Sequence, residues 1–160
     1  MTDAIWKPHV TVAAVAERDG HFLVVEEEVH GERVVNNPAG HLEPGESFLD
    51  AVRRETLEET GWEFLPAAVT GIYLWKNPKL GASFLRVAFH GECGQHHPER
   101  PLDKGIIAAR WLSRAELAAL GPKLRSPMVL RCIDDCLAGR RYPLDILSHI
   151  TDPASMLEDA

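Results

Sequence analysis

Cysteine is scarce in this chain: Cys93, Cys132 and Cys136 are the only three in 160 residues. An odd and sparse set argues against a disulfide scaffold and for a reducing compartment, so the cytoplasm is the expected location. Cys132 and Cys136 stand four apart on an expected helix with no other metal-ligand type beside them, so they read as buried thiols. Long apolar runs are missing too, and none approaches the ~18 residues of a membrane span. Met1 to Trp6 shows no basic-then-apolar leader pattern, and no membrane partner is expected. Positive charge is in deficit, with 17 Lys and Arg against 24 Asp and Glu and a formal net charge of -7. Long nucleic acid is therefore a poor partner, because neutralising its backbone needs a basic face. A small phosphorylated compound stays in play, since a bound metal ion can supply positive charge locally.

With 45% hydrophobic residues, the chain is long enough to build one core, expected as a single domain over 1–150 followed by an acidic tail, 151–160. His9 to Ala16 is a Val/Ala run that reads as a buried strand. Asp19-Gly20 is a hairpin turn, His21 to Glu27 the returning strand, His30-Gly31 a second turn and Glu32 to Asn36 a third strand. A loop with Pro38, Gly40, Pro44 and Gly45 follows. Ser47 then opens a helix, capping the amide three residues on with Asp50 returning the bond, and Gly61 closes it. Further strands are expected at Ala68 to Trp75, Ser83 to Gly91 and Ile106 to Leu112, with a loop over Gln95 to Leu102. Ser113-x-x-Glu116 opens a short helix, and Ser126-Pro127 opens a last one that runs to about Leu137. Strands surrounding one central helix, with further helices late, imply a layered mixed α/β domain.

The helix from Ser47 to Thr60 carries an anomaly. At ~100° per residue, Phe48, Leu49, Ala51, Val52 and Thr56 share the arc that should face the core. Glu55, Glu58 and Glu59, spaced i, i+3, i+4, continue that arc at the C-terminal end. Like charges one turn apart repel, and carboxylates in the last turn meet the negative end of the helix dipole. A hard divalent cation with oxygen ligands, Mg²⁺ or Mn²⁺, reverses both costs. Periodicity alone leaves open the plainer reading of solvated surface glutamates.

The wider spacing decides between them. Gly40, five residues, Glu46, seven residues, Arg54-Glu55-Thr56-x-Glu58-Glu59-x-Gly61-Trp62 resembles the Nudix box at seven fixed positions without a gap. Thr56, in place of an aliphatic residue, and Trp62, at the last apolar position, are its mild departures. KPHVTVA, NNPAGHLE, FLRVAF, LRSPMV and RRYPLDIL extend the likeness to a bacterial phosphatase subgroup of that family over most of the first 150 residues. The resemblance implies an α/β/α sandwich with a mixed central sheet and a metal-binding loop-helix. It also implies metal-assisted attack of water on a phosphoanhydride, in nucleoside di- and triphosphates or in the pyrimidine diphosphate intermediate of thiamin synthesis. On the same basis Glu58 and Glu59 are metal ligands, Glu55 is a ligand, a base or both, and the Ala39 carbonyl is a further ligand. Glu46 faces Arg54, and Gly40 and Gly45 let the loop turn tightly over the metal.

Many members of the family carry another acid on a distant loop before a strand ending in Arg-Trp. Here Gly105 stands at that position ahead of Arg110-Trp111, which favours Glu55 as base; Asp103, two residues away, reads first as a solvated loop aspartate. Substrate contacts are sought at Arg86 (against a structural ion pair), Lys76, Trp75 (against a core aromatic), Asn36 and Asn37. His41 reads as loop filler and His96-His97 as solvated. The competing functions are a pyrophosphohydrolase for a dinucleotide or nucleotide sugar, a prenyl diphosphate isomerase and a non-catalytic binding module. The last two fit poorly, since Cys93 lacks the isomerase context and every box carboxylate is present. The chain is expected as monomer or homodimer.

Overall fold

In the computed structural model, which describes residues 3–152, strand β1 (His9–Arg18) is buried on both faces from Thr11 to Ala16. That double burial is why its Val/Ala run shows no polar alternation. The expected tail, apart from Thr151 and Asp152, lies outside the described residues. The turn after β1 uses Asp19 (φ 51) and Gly20 (φ 75), the left-handed pair that a tight hairpin requires. The hairpin splays at once, because β2 (His21–Val29) pairs with β1 only at Glu17↔Phe22 and Arg18↔His21. From there β2 takes β3 (Glu32–Asn36) on one edge and β7 (Ile106–Ser113) on the other.

The stretch of β1 that β2 leaves is taken by β4 (Ala39–His41), at Thr11↔His41 and Ala13↔Ala39. Three residues of the expected loop are therefore strand. On its other side β1 runs parallel to β6 (Ser83–His96), which pairs antiparallel with β5 (Trp62–Lys76). Both strands exceed their expected spans. β5 starts directly after the helix, and its register shifts around Phe64, Ala68 and Gly71 broke the alternation that would have marked it. Pro66 sits at one of these bulges on the outermost strand, where a missing N–H costs least. β6 likewise absorbs Gln95 and His96 from the expected loop.

Helix α1 (Phe48–Thr60) covers one face of the sheet, burying Ala51 and Val52 against Val12, Ala14, Val69 and Phe89. Helices α2 (Arg114–Leu120) and α3 (Met128–Leu137) cover the other face, packing Leu117, Val129, Cys132 and Ile133 against Ala13, Val15 and Ala88. The result is the expected α/β/α sandwich around a mixed sheet. Cys132 and Cys136 are free and buried, and burial pushes both thiols upward in pKa, as suits inert packing groups. At α1 only half of the expected capping box forms. Ser47 Oγ accepts from Asp50 N–H at 3.1 Å, while the Asp50 carboxylate lies 3.7 Å from Arg53. The complete box forms at α2, between Ser113 and Glu116. Gly61, at φ 74, ends α1 with its N–H on Leu57 O.

Candidate active site

The last two turns of α1 carry the apolar arc into a carboxylate face, as the spacing required. Thr56 is fully buried on it, and its hydroxyl donates to Val52 O at 2.7 Å, so the departure from an aliphatic residue leaves no polar atom stranded. Glu59 is 7% exposed. Removal from water pushes its carboxyl up to about 9, with Glu27, Glu55 and Asp103 adding to the rise and a hydrogen bond from Ala39 N–H opposing it. Glu55 is also shifted upward, first by burial; Arg54 opposes that shift, while Glu58 and Asp103 add to it.

Strand β4 explains how Ala39 takes part. Leu42 N–H donates to Val10 O, and Ala14 N–H to Pro38 O. By antiparallel alternation Ala13–Ala39 is then a non-hydrogen-bonded pair, and the peptide groups of Ala39 point away from β1. Its N–H meets Glu59 Oε1 at 2.8 Å. Its carbonyl is free of the β1 ladder, as a ligand role demands. Gly40 serves a purpose other than the tight turn expected of it. A Cβ there would lie 2.0 Å from Glu55 Cδ, so glycine makes room for the carboxylate. Gly45, at φ 81, does make the turn.

Arg54 organises the group. Its Nε and Nη2 reach the two oxygens of Glu46 at 3.0 and 2.8 Å, the expected pair, and hold the Glu46 carboxyl below its ordinary pKa. Its Nη1 donates to Glu55 at 2.9 Å and Glu58 at 3.1 Å. Nη2 also reaches His41 O, tying the loop to the helix.

Asp103 is exposed, as its solvated reading expected, but its loop is held against α1. Its backbone N–H donates to Glu58 O at 3.0 Å, which seats the loop on the end of α1. Oxygens of Glu55, Glu58 and Asp103 fall within 4.8 Å of one another. Gly105 carries φ +92 and its carbonyl accepts from Glu28 N–H, so a left-handed turn occupies the position where the family acid was sought.

The carboxylate face borders a cleft of about 770 Å³ on the α3 side of the sheet. Arg86 sits in its floor at 4% exposure. Among the described residues Arg86 has no carboxylate partner: it donates to the side-chain oxygens of Asn37 at 2.8 Å and Asn36 at 3.2 Å, and its Nε has no hydrogen-bond partner there. Beside it Trp75 and Phe84 stack at 6.2 Å, and Phe84 stacks on His9 at 5.0 Å, an in-register row across three strands. Lys76 points to the other sheet face and is not among the lining residues; Lys79 of the β5–β6 turn is. His96 stacks on Trp62 at 4.3 Å and His97 pairs with Glu63 at 3.0 Å, so both are engaged locally.

Among the lining residues, His41 was read in the sequence only as loop filler, and Phe84, Glu27 and Arg125 were not singled out as site residues. His41 is tied to His9 across strands at 3.1 Å. Phe84 offered a signal, since it shares strand parity with Arg86. Glu27 lies in a run of three glutamates that gives no alternation, and a bulge between Glu26 and Glu27 sets its direction. Arg125 had no signal beyond its place in LRSPMV.

The family model for the NUDIX domain matches residues 7–132. Phosphatase NudJ of Escherichia coli K12 is 40% identical over 149 residues, 93% of this chain and 96% of the relative. A solved NUDIX hydrolase from Nitrosomonas europaea is 50% identical with a TM-score of 0.88, covering 90% of this chain and 98% of that one. A MutT NUDIX hydrolase from Burkholderia pseudomallei, at 18% identity, shares the fold with a TM-score of 0.69 over 81% of this chain and 98% of its own.

Proposed function

The chain belongs to the NUDIX family of hydrolases, and from that premise we propose that it removes phosphate from nucleoside di- and triphosphates or a related small diphosphate, using Mg²⁺ or Mn²⁺. The observation that carries this reading is the meeting of Glu55, Glu58 and Asp103 within 4.8 Å beside the buried Glu59. The phosphatase relative supports orthophosphate as the product, and the pyrimidine diphosphate of thiamin synthesis belongs to the same substrate class. The donor set suits a hard cation: every candidate ligand is an oxygen, from Glu55, Glu58, Glu59, Asp103 and the Ala39 carbonyl. Burial raises the carboxyls of Glu55 and Glu59 and neighbouring carboxylates add to the rise, so the site favours a cation. When bound, the ion neutralises phosphate oxygens and acidifies water.

The chain's own residues supply the remainder. Glu55, a better proton acceptor for being desolvated, takes the proton from the attacking water, with Asp103 as the alternative base. Arg54 and Glu46 hold the loop and the carboxylates in register. Trp75 and Phe84 offer a ring surface for the base or pyrimidine, and Arg86 presents N–H groups to an anionic or carbonyl oxygen. Asn37 acts through Arg86, fixing its guanidinium. No described helix is long and apolar enough to cross a membrane, and the sparse, free thiols support a reducing, cytoplasmic setting; a monomer or homodimer is the assembly proposed.

A panel of nucleoside di- and triphosphates, nucleotide sugars and the pyrimidine diphosphate, scored for orthophosphate and pyrophosphate release with Mg²⁺ or with chelator, tests the reading. We expect orthophosphate, abolished by chelation. Full turnover in excess chelator refutes metal dependence, and pyrophosphate as sole product refutes the phosphatase assignment. In the same assay Glu55→Gln should cost about 10²–10⁴ in rate. If Asp103→Asn alone abolishes turnover while Glu55→Gln stays active at high Mg²⁺, the base is Asp103.

A further inference from the structure

Glu27, Glu43, Glu55 and Glu59 all line the cleft, so a polyphosphate entering it meets negative charge beyond what the α1 face alone presents. The lining cations of fixed or near-fixed charge are Lys79, Arg86 and Arg125. Arg86 is sunk in the floor and held by neutral amide oxygens. Arg125 is arranged differently. It stands in the loop before α3 and reaches Glu27 of β2, 98 residues away, with Nη1 2.5 Å from Glu27 Oε1.

This pair is not what fastens the loop. The Arg125 backbone N–H donates to Val35 O at 2.8 Å, and Leu124 bridges to Val35 in parallel register. The two side chains also differ in access: 40% of the Arg125 side chain is exposed but only 12% of that of Glu27. The carboxylate is turned in toward the acidic group, where its charge reaches Glu59, and the guanidinium faces the open space. A single Nη1 bond to Glu27 leaves further N–H donors of the fork for another anion. Ser126 and Met128 line the same wall, so the positive end of the ten-residue α3 dipole lies beside Arg125.

We infer that Arg125 binds a substrate phosphate lying away from the α1 carboxylates, and that Glu27 holds the guanidinium at the cleft wall until that phosphate takes over part of it. The inference rests on the phosphoanhydride reading above. Guanidinium suits the role because its planar fork matches phosphate oxygens in bidentate fashion. Glu27 is a positioning residue and also a competitor, since it offers the guanidinium an anion whenever substrate is absent.

The experiment measures calorimetric binding of the α,β-methylene analogue of adenosine diphosphate, with Mg²⁺, to wild type, Arg125→Gln, Glu27→Gln and the double variant, alongside steady-state phosphate release and melting. Arg125→Gln should weaken analogue binding and raise KM by about ten- to hundred-fold, with a smaller effect on kcat. Glu27→Gln should tighten binding while Arg125 is present and tighten it markedly less in the Arg125→Gln background, where only relief of repulsion is left. Unchanged affinity in Arg125→Gln overturns the inference, as does melting loss without affinity change in both single variants, the signature of a brace. Tightening by Glu27→Gln that persists in full without Arg125 also overturns it, because repulsion alone then explains the effect. Should Arg125→Gln not fold, Arg125→Lys keeps the charge without the fork and should show an intermediate loss; wild-type affinity there overturns the bidentate role. If wild type releases no phosphate from any substrate, the functional reading fails. If wild type is active and Arg125→Gln binds normally, only this inference does.

Discussion

Replacing Gly40 by alanine tests the site with a single methyl group. The new Cβ would lie 2.0 Å from Glu55 Cδ and 2.2 and 2.3 Å from its oxygens, where ordinary contact begins at 3.4 Å. The Glu55 carboxylate must therefore retreat by roughly 1.4 Å, the difference between the first and last of these distances. The fold should survive, because the displaced atoms are the far end of a flexible side chain and Gly40 does not lie in the left-handed region. The stability cost is bounded by the Arg54–Glu55 hydrogen bond, about 1–3 kcal/mol. The catalytic cost is larger, since a misplacement of ~1 Å in a reacting constellation costs about 10²-fold in rate. Gly45→Ala is the control. Its φ of 81 strains an alanine by about 1–2 kcal/mol, yet its Cβ would meet nothing within 4 Å. Phosphate release against Mg²⁺ concentration, with thermal melts, should show Gly40→Ala folded and about a hundred-fold slower, and Gly45→Ala less stable and active. A Gly40→Ala enzyme with wild-type turnover at wild-type Mg²⁺ demand would show that Glu55 has no role where the structure places it.

Glu46→Gln removes the charge opposite Arg54, and we expect a loss of about 1–3 kcal/mol at neutral pH together with reduced turnover. Because Arg54 lowers the Glu46 pKa, the pair's contribution is present above the ordinary carboxylate value and fades as pH falls through the lowered one, so urea melts of wild type and variant should converge in acid; a constant gap refutes the pairing. Glu59 has the opposite sign. Its carboxyl is raised from 4.5 to about 9, so in the metal-free protein the Glu59 contribution is full below the ordinary value and is lost as pH rises toward 9, by at most about 6 kcal/mol. Mg²⁺ should flatten that slope and Glu59→Gln should abolish it; identical pH profiles for metal-free wild type and variant would refute the buried, uncompensated carboxylate.

Local chemistry settled α1 and its neighbours in advance. Ser47 and Gly61 bound the helix because capping is decided within one turn of chain, and the i, i+3, i+4 spacing of Glu55, Glu58 and Glu59 fixes one face whatever surrounds it. The Glu46–Arg54 pair, anticipated from the box resemblance, spans a single loop-helix segment. The turn at Asp19-Gly20 was equally local. Other features had to wait for tertiary structure, because they depend on which strands meet. β4 is strand only because β2 leaves β1 after two pairs, and no three-residue stretch announces that vacancy. Lys76 and Trp75 are adjacent in sequence yet face opposite sides of the sheet, and the bulges of β5 hid which side was which. Asp103 is solvent-facing as read, and only the hydrogen bond from its backbone to the end of α1 brings it beside Glu55 and Glu58; Glu27 and Arg125 stand 98 residues apart until β2 and the loop before α3 close on one cleft. Helix periodicity is a property of consecutive residues, so it can be read from the chain; a cleft is built from strand register and loop docking, which only the packed sheet determines.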